Sequence, residues 1–150
     1  MKHTLLLFVM ALLLSACTED ETVQASREAD TPRPIRKMDF AQISRGGTLF
    51  QQHCAVCHGR QAEGAPNWQQ MDANGKFPPP PLNGSAHAWH HPQQVLVDTI
   101  KNGTVKQGGN MPAWKDKLSD EQINAIIAWF QSKWSDEIYS AWYVRDQHSR

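Results

Sequence analysis

Cysteine is scarce in this chain: 150 residues carry three thiols, at positions 17, 54 and 57. Three are too few for a disulfide scaffold, and the odd count asks what each thiol does singly. Net charge is missing as well. Fifteen Lys and Arg face fifteen Asp and Glu, and no Lys- or Arg-dense helix interrupts the balance. The electrostatic footprint needed on nucleic acid or an anionic lipid surface is therefore absent, which argues against a nucleic-acid partner. There is no internal repeat, and the longest apolar run, Leu5 to Leu14, falls short of the roughly 20 residues of a bilayer-spanning helix. What remains is one small domain with attachments.

The first attachment is an export signal. Lys2 and His3 precede the apolar run, and Ser15 and Ala16 close it just before Cys17, the order of a secretory signal peptide. Leu14-Ser15-Ala16-Cys17 resembles a bacterial lipobox. The resemblance implies cleavage at residue 16, acylation of Cys17 and retention at a membrane surface, where two or more acyl chains make a stable anchor and one alone is marginal. Thr18 after the cysteine, by resemblance to Gram-negative lipoproteins, favours the outer membrane. An ordinary secretory signal followed by a chance cysteine is the alternative. Removing residues 1–16 takes away Lys2 and leaves 14 basic against 15 acidic residues, so near neutrality survives processing. Residues 17–39 then form the acylated cysteine and a tether: polar, with Pro32 and Pro34 and without apolar periodicity. A coil of about 20 residues reaches roughly 25 Å.

The folded part opens near Phe40. Phe40, Ile43, Gly47, Phe50 and Cys54 recur at close to helical spacing, which predicts an amphipathic helix with Arg45, Gln51 and Gln52 toward water. This helix runs into Cys54-Ala55-Val56-Cys57-His58, the C-x-x-C-H attachment sequence of a c-type haem. Two thiols three residues apart on one helical turn can bond both vinyl groups, and the next residue presents its imidazole to the iron. A thioredoxin-like dithiol needs a preceding parallel strand. A zinc site needs a further pair of Cys or well-spaced His, and no Cys remains. His53 precedes both thiols and is expected at the helix surface.

With these residues in view the sequence resembles a class I, monohaem c-type cytochrome over residues 40–134. In that family a glycine four residues before an aromatic, itself four before the first Cys, lets the first helix cross the last; Gly46, Phe50 and Cys54 match. Pro80-Pro81-Leu82-Asn83-Gly84 matches the family's Pro-x-Leu-x-Gly, which implies that the Pro80 carbonyl accepts from His58 Nδ1. Met111, in Gly108-Gly109-Asn110-Met111-Pro112-Ala113-Trp114, is the candidate sixth ligand opposite His58. The implied fold is all-α, with N- and C-terminal helices crossing around one covalent haem c. The implied role is one-electron carriage between donor and acceptor proteins, with a terminal oxidase or another respiratory complex among the partners, and no enzyme activity.

Other segments bear on this expectation. Ser119-Asp120-Glu121-Gln122 is a capping box opening a helix whose Ile123, Ile126, Ile127, Phe130 and Trp134 share one face. Ala128-Trp129-Phe130 resembles the triplet that meets the first helix at its glycine. Pro92 to Asn102 predicts a short helix with Val95, Leu96, Thr99 and Ile100 inward, stopped by Gly103. Three departures from the minimal family pattern remain: an insert at 59–79 containing Trp68 and Met71, the His87, His90 and His91 cluster, and an aromatic extension at 135–150 with Ile138, Tyr139, Trp142 and Tyr143. Two alternatives stay open: a copper- or haem-handling accessory protein using the histidines, and a haem sensor or peroxidase-like protein with a labile distal ligand.

Overall fold

Asp39 starts the first helix by accepting the Gln42 amide hydrogen at 3.0 Å, and the computed structural model describes residues 36–150, within one unit. The signal segment, Cys17 with Thr18, and the tether up to residue 35 lie outside the described residues. Among the described residues five α-helices occur in chain order: α1 Phe40–His53, α2 Ala55–His58, α3 Gln93–Asn102, α4 Asp120–Gln131 and α5 Asp136–His148. Single 3-10 turns sit at Ala88–His90 and Val105–Gln107. No strand occurs among the described residues.

The organising contact is α1 against α4. A Cβ on Gly46 would lie 1.8 Å from the Ala125 carbonyl oxygen, and one on Gly47 would lie 2.7 Å from the Trp129 indole nitrogen. The two backbones therefore touch where the first glycine stands, with Ala125 at the closest point and Trp129 of the aromatic triplet one turn further on. Around this crossing Phe50, Ile123, Ile126, Ile127 and Phe130 are fully buried, the non-directional burial that stabilises a helical pair. The capping box forms as its residues require: Gln122 N donates to Ser119 Oγ and Ser119 N to Gln122 Oε1.

Two expected core positions are corrected. Phe40 is 76% exposed: it stands at the first position of α1, six residues before the Gly46 contact with α4. In α3 the inward residues are Leu96, Val97 and Ile100, while Val95 is 42% exposed. At about 100° per residue Ile100 falls on the Val97 side of Leu96, so the buried face runs through Leu96, Val97 and Ile100 and leaves Val95 off it. Gly103 ends α3 at φ +65°, its amide hydrogen bonded to the Thr99 carbonyl.

The aromatic segment after α4 is helical. Ser135 caps α5 through the Ile138 amide. Trp142 is buried against Trp134, ring centroids 5.9 Å apart, and its indole N–H donates to the His91 carbonyl at 3.0 Å. Asp146, 3% exposed, accepts the Gln93 amide hydrogen at the start of α3 and pairs with Arg150. A residue of α5 thus caps a helix 53 positions earlier. Arg36, on the tether side of the expected boundary, donates to the Gln131 and Trp134 carbonyls at the end of α4 and lies 4.2 Å over the Tyr139 ring.

The α5 docking site carries a pH dependence. Partial desolvation, then His87, His90 and Arg145 nearby, hold His91 below the usual imidazole range; on α5, Asp146 is already paired with Arg150. The unfolded chain binds the proton more readily than the folded one, so stability falls as pH drops below about 6.5 and levels off once the folded-state value is passed. Thermal melts from about pH 8 to pH 5 are expected to show this slope, and His91→Asn to flatten it while keeping the backbone acceptor for Trp142. An unchanged slope in the variant assigns the acid sensitivity elsewhere.

Candidate functional site

Cys54 ends α1 with its amide hydrogen bonded to the Phe50 carbonyl, and the chain continues helically through α2, where Cys57 N and His58 N both donate to the Cys54 carbonyl at 3.1 and 2.9 Å. The first thiol, half-buried, packs against the core cluster, whereas Cys57 and Val56, the latter 90% exposed, face outward. Both thiols are free rather than joined. Burial and then the neighbouring Cys57 push the Cys54 thiol up to about 11. A dithiol oxidoreductase needs a thiol whose ionisation is made easier; here it is made harder, and among the described residues no strand precedes the motif. Gly59, at φ +78°, turns the chain out of α2 by donating to the Ala55 carbonyl.

His58 is positioned from the other side. Its Nδ1 lies 2.9 Å from the Pro80 carbonyl oxygen. A carbonyl can only accept, so Nδ1 carries the hydrogen and Nε2 keeps its lone pair. Burial lowers the proton affinity of this imidazole, opposed in part by the Pro80 contact, and so favours the neutral ring that binds a metal. The segment bearing Pro80 is itself tied down: Leu82 N and Asn83 N donate to Ala62 O, Ala65 N to Pro79 O, and Gly64 N to His58 O.

Met111 is half-buried and packs on the same core cluster as Cys54, Leu82 and Trp114. Its backbone is held at both ends by Thr104: Met111 N donates to Thr104 Oγ1 at 3.1 Å and Thr104 N to Met111 O at 2.9 Å. Gly109 N also donates to Thr104 O, and a Cβ on Gly103 would meet Met111 O at 2.5 Å. Trp114 N donates to the Ile100 and Lys101 carbonyls, and the Trp114 ring sits 5.3 Å from that of His53. Met38 and Met71 are exposed. Thr104 is the residue that sequence reasoning passes over, since its partner lies seven positions on in an aperiodic loop.

The histidine cluster forms aromatic contacts. His87 and His91 rings are 5.9 Å apart, Trp89 and His90 4.0 Å, and Trp68 of the insert reaches His87 at 5.5 Å. Among the described residues no three His, Cys, Asp or Glu side chains are grouped to hold a metal ion, so the copper-handling alternative lacks a ligand set here.

A helical domain with C-x-x-C-H at the end of its first helix, an imidazole oriented by a proline carbonyl and a pinned methionine offers donors that suit a haem: two free thiols, one uncommitted imidazole nitrogen and one thioether. This is the class of monohaem c-type cytochromes. Residues 41–130 match the family described as cytochrome C oxidase, cbb3-type, subunit III, and the chain belongs to that family of cytochrome c domains, whose cofactor is a covalently bound haem c. The chain is 32% identical over 91 residues to the cbb3-type cytochrome c oxidase subunit CcoP of Azospirillum sp. (strain B510), covering 61% of this chain and 28% of that protein. It is 27% identical over 126 residues to cytochrome c-551 of Bacillus subtilis (strain 168), covering 84% and 89%, and 31% identical over 98 residues to cytochrome c6 of Leptolyngbya boryana, covering 62% and 94%. The chain spans under a third of the CcoP subunits it matches. No solved structure matches it. Electron carriage is the role these cytochrome relatives support. Among the described residues no helix is long and apolar enough to cross a membrane.

Proposed function

We propose that this chain is an exported, lipid-anchored one-electron carrier serving respiratory or periplasmic redox proteins, with Cys54 and Cys57 as the haem-bonding thiols and His58 and Met111 as axial ligands. The observation that carries the reading is the His58 Nδ1 to Pro80 carbonyl bond of 2.9 Å at the end of a C-x-x-C-H turn. That bond commits one ring nitrogen and leaves the other as a more basic ligand in a fixed orientation. The haem, when bound, supplies a one-electron Fe(III)/Fe(II) couple.

The chain's own contribution is rigidity and burial. Thr104 fastens the Met111 backbone from both sides, and ligands held this firmly rearrange little when charge arrives or leaves. A thioether and an imidazole holding the iron would raise its potential. Contacts with donor and acceptor are small and short-lived, and a cbb3-type oxidase is the acceptor favoured by the likeness to CcoP. Acylated Cys17, followed by Thr18, would keep this domain at the periplasmic side of the outer membrane.

The full chain, produced in a Gram-negative host that matures c-type cytochromes, should partition with membranes and show the weak sulfur-to-iron absorption band at the red end of the visible spectrum. Met111→Ala should abolish that band and let carbon monoxide bind the reduced protein rapidly. An unchanged band rules Met111 out as the ligand, and rapid carbon monoxide binding by the unaltered chain favours the sensor or peroxidase-like alternative.

A further inference from the structure

Resting on the reading of Met111 as a ligand, we propose that the 59–79 insert ends in a positioning strut, in which Asp72, Lys76 and the Phe77 carbonyl, joined by the Pro78–Pro81 run to the His58 acceptor, hold the Gly109–Asn110 segment that precedes Met111.

The strut is built from its tip. Asp72 closes a turn on Lys76: Asp72 N donates to Lys76 O at 2.8 Å, and Asp72 Oδ1 accepts from Asn74 N at 2.8 Å and Lys76 N at 3.0 Å. The turn fixes the Lys76 backbone, from which Nζ reaches across to donate to the Gly109 carbonyl at 3.3 Å, while Asn110 Nδ2 donates to the Phe77 carbonyl at 3.4 Å. These bonds bridge 33 positions of sequence and land on the two residues immediately before Met111. Four prolines follow Phe77. Their rings lock φ and keep such a run extended at about 3 Å per residue, so the contact at Phe77 and the His58 contact at Pro80 are two points on one stiff rod. The base of the insert is closed by Ala65 N on Pro79 O at 2.9 Å. One short segment therefore touches the imidazole of His58 at the end of α2 and the loop that precedes Met111. Asp72, Lys76 and Asn110 act through Met111 and touch no reacting atom, which makes them positioning residues.

The test uses the haem-loaded full chain and three variants, Asp72→Ala, Lys76→Met and Asn110→Ala, with Lys76→Arg keeping the donor. Hydrogen exchange at the Met111 and Gly109 amides should quicken roughly tenfold in the first three, as expected for loss of one restraining hydrogen bond in a local opening. The sulfur-to-iron band should disappear at lower urea than the helical signal does, whereas in the unaltered chain and in Lys76→Arg the two transitions run closer together. A purely structural role for the insert predicts that band and helix are lost in step in every variant with exchange unchanged, and that result overturns the strut. Should the unaltered chain lack the band while the amides still respond, Met111 is not the ligand and the strut stands as a restraint on its loop. Should the band be present and the amides stay silent, the strut alone fails.

Discussion

Gly46→Ala is expected to cost the fold about 3 kcal/mol or more, the upper end of what overpacking costs, and to lower Tm by roughly 10 °C or more. At a solvent-facing helical position the same change gains up to about 1 kcal/mol in helix propensity, so both the sign and the size are informative. The new Cβ would stand 1.8 Å from the Ala125 carbonyl oxygen, 2.4 Å from its carbon and 3.0 Å from Ile126 N. All three are backbone atoms, which no rotamer change can move. Relief requires α1 and α4 to separate, and separation opens the contacts of Phe50, Ile123, Ile126, Ile127 and Phe130 together. Gly47→Ala is the internal comparison. The atoms nearest its Cβ belong to the Trp129 indole, at 2.7 Å, and a side chain can turn aside, so a cost of about 1 kcal/mol is expected there. Denaturant unfolding of the two variants side by side is the measurement, and equal losses would mean that the helices do not cross where Gly46 stands.

How much of this was legible beforehand depends on whether a segment signals locally. Ser119 to Gln122 and the isoleucine stripe announced α4 because cap, first-turn acids and periodicity all fall within one helix. Gly46 was legible through the family spacing, and Cys54 to His58 through a motif whose geometry is confined to one turn. Val95 was misplaced although Ile100 already breaks the tie: at about 100° per residue Val97 lies nearer the Leu96 and Ile100 face than Val95 does. α5 escaped because its inward face carries Asp146 as well as Trp142, and a buried carboxylate looks like a surface residue until its partners, Gln93 N and Arg150, are placed. The grip of Thr104 on Met111 and the reach of Lys76 to Gly109 had no sequence signature either, because both are made by irregular loops. Local chemistry was therefore readable, and the long-range restraints on it were not.

Those restraints also explain why the insert and the C-terminal helix belong to one structural argument. The covalently held cofactor needs walls on several sides, and a small domain must assemble them from separate segments. Trp68 of the insert leans on His87, His91 accepts from Trp142, and Trp142 packs on Trp134, which donates to the Leu82 carbonyl at 2.8 Å. This series returns to the segment that presents Pro80 to His58. Loss of α5 would therefore be felt at the proximal side through Trp134, even though no α5 residue is among the proposed ligands.

Replacing both Cys54 and Cys57 by serine is expected to abolish covalent haem attachment completely while leaving His58 in place. Serine keeps the size of the side chain but cannot form a thioether to a vinyl carbon. With both links gone, haem is retained only by ligation and burial, so it should leave in acidified organic solvent and the haem stain should vanish from denaturing gels. Covalent linkage also keeps the group at a high effective concentration beside His58. Once it is cut, the stability supplied by the bound group depends on free haem as RT ln(1 + [L]/Kd), so the Tm of the double variant should rise with added haem and that of the unaltered protein should not. Cys57→Ser alone keeps one link through the half-buried Cys54 and should retain the stain, with the absorption maxima shifted by the unsaturated vinyl group left behind. Under the proposed acylation of Cys17, the chain's third cysteine, no spare thiol would remain to rescue the attachment. A double-serine protein that still stains would place the haem on a residue other than these two and sink the assignment.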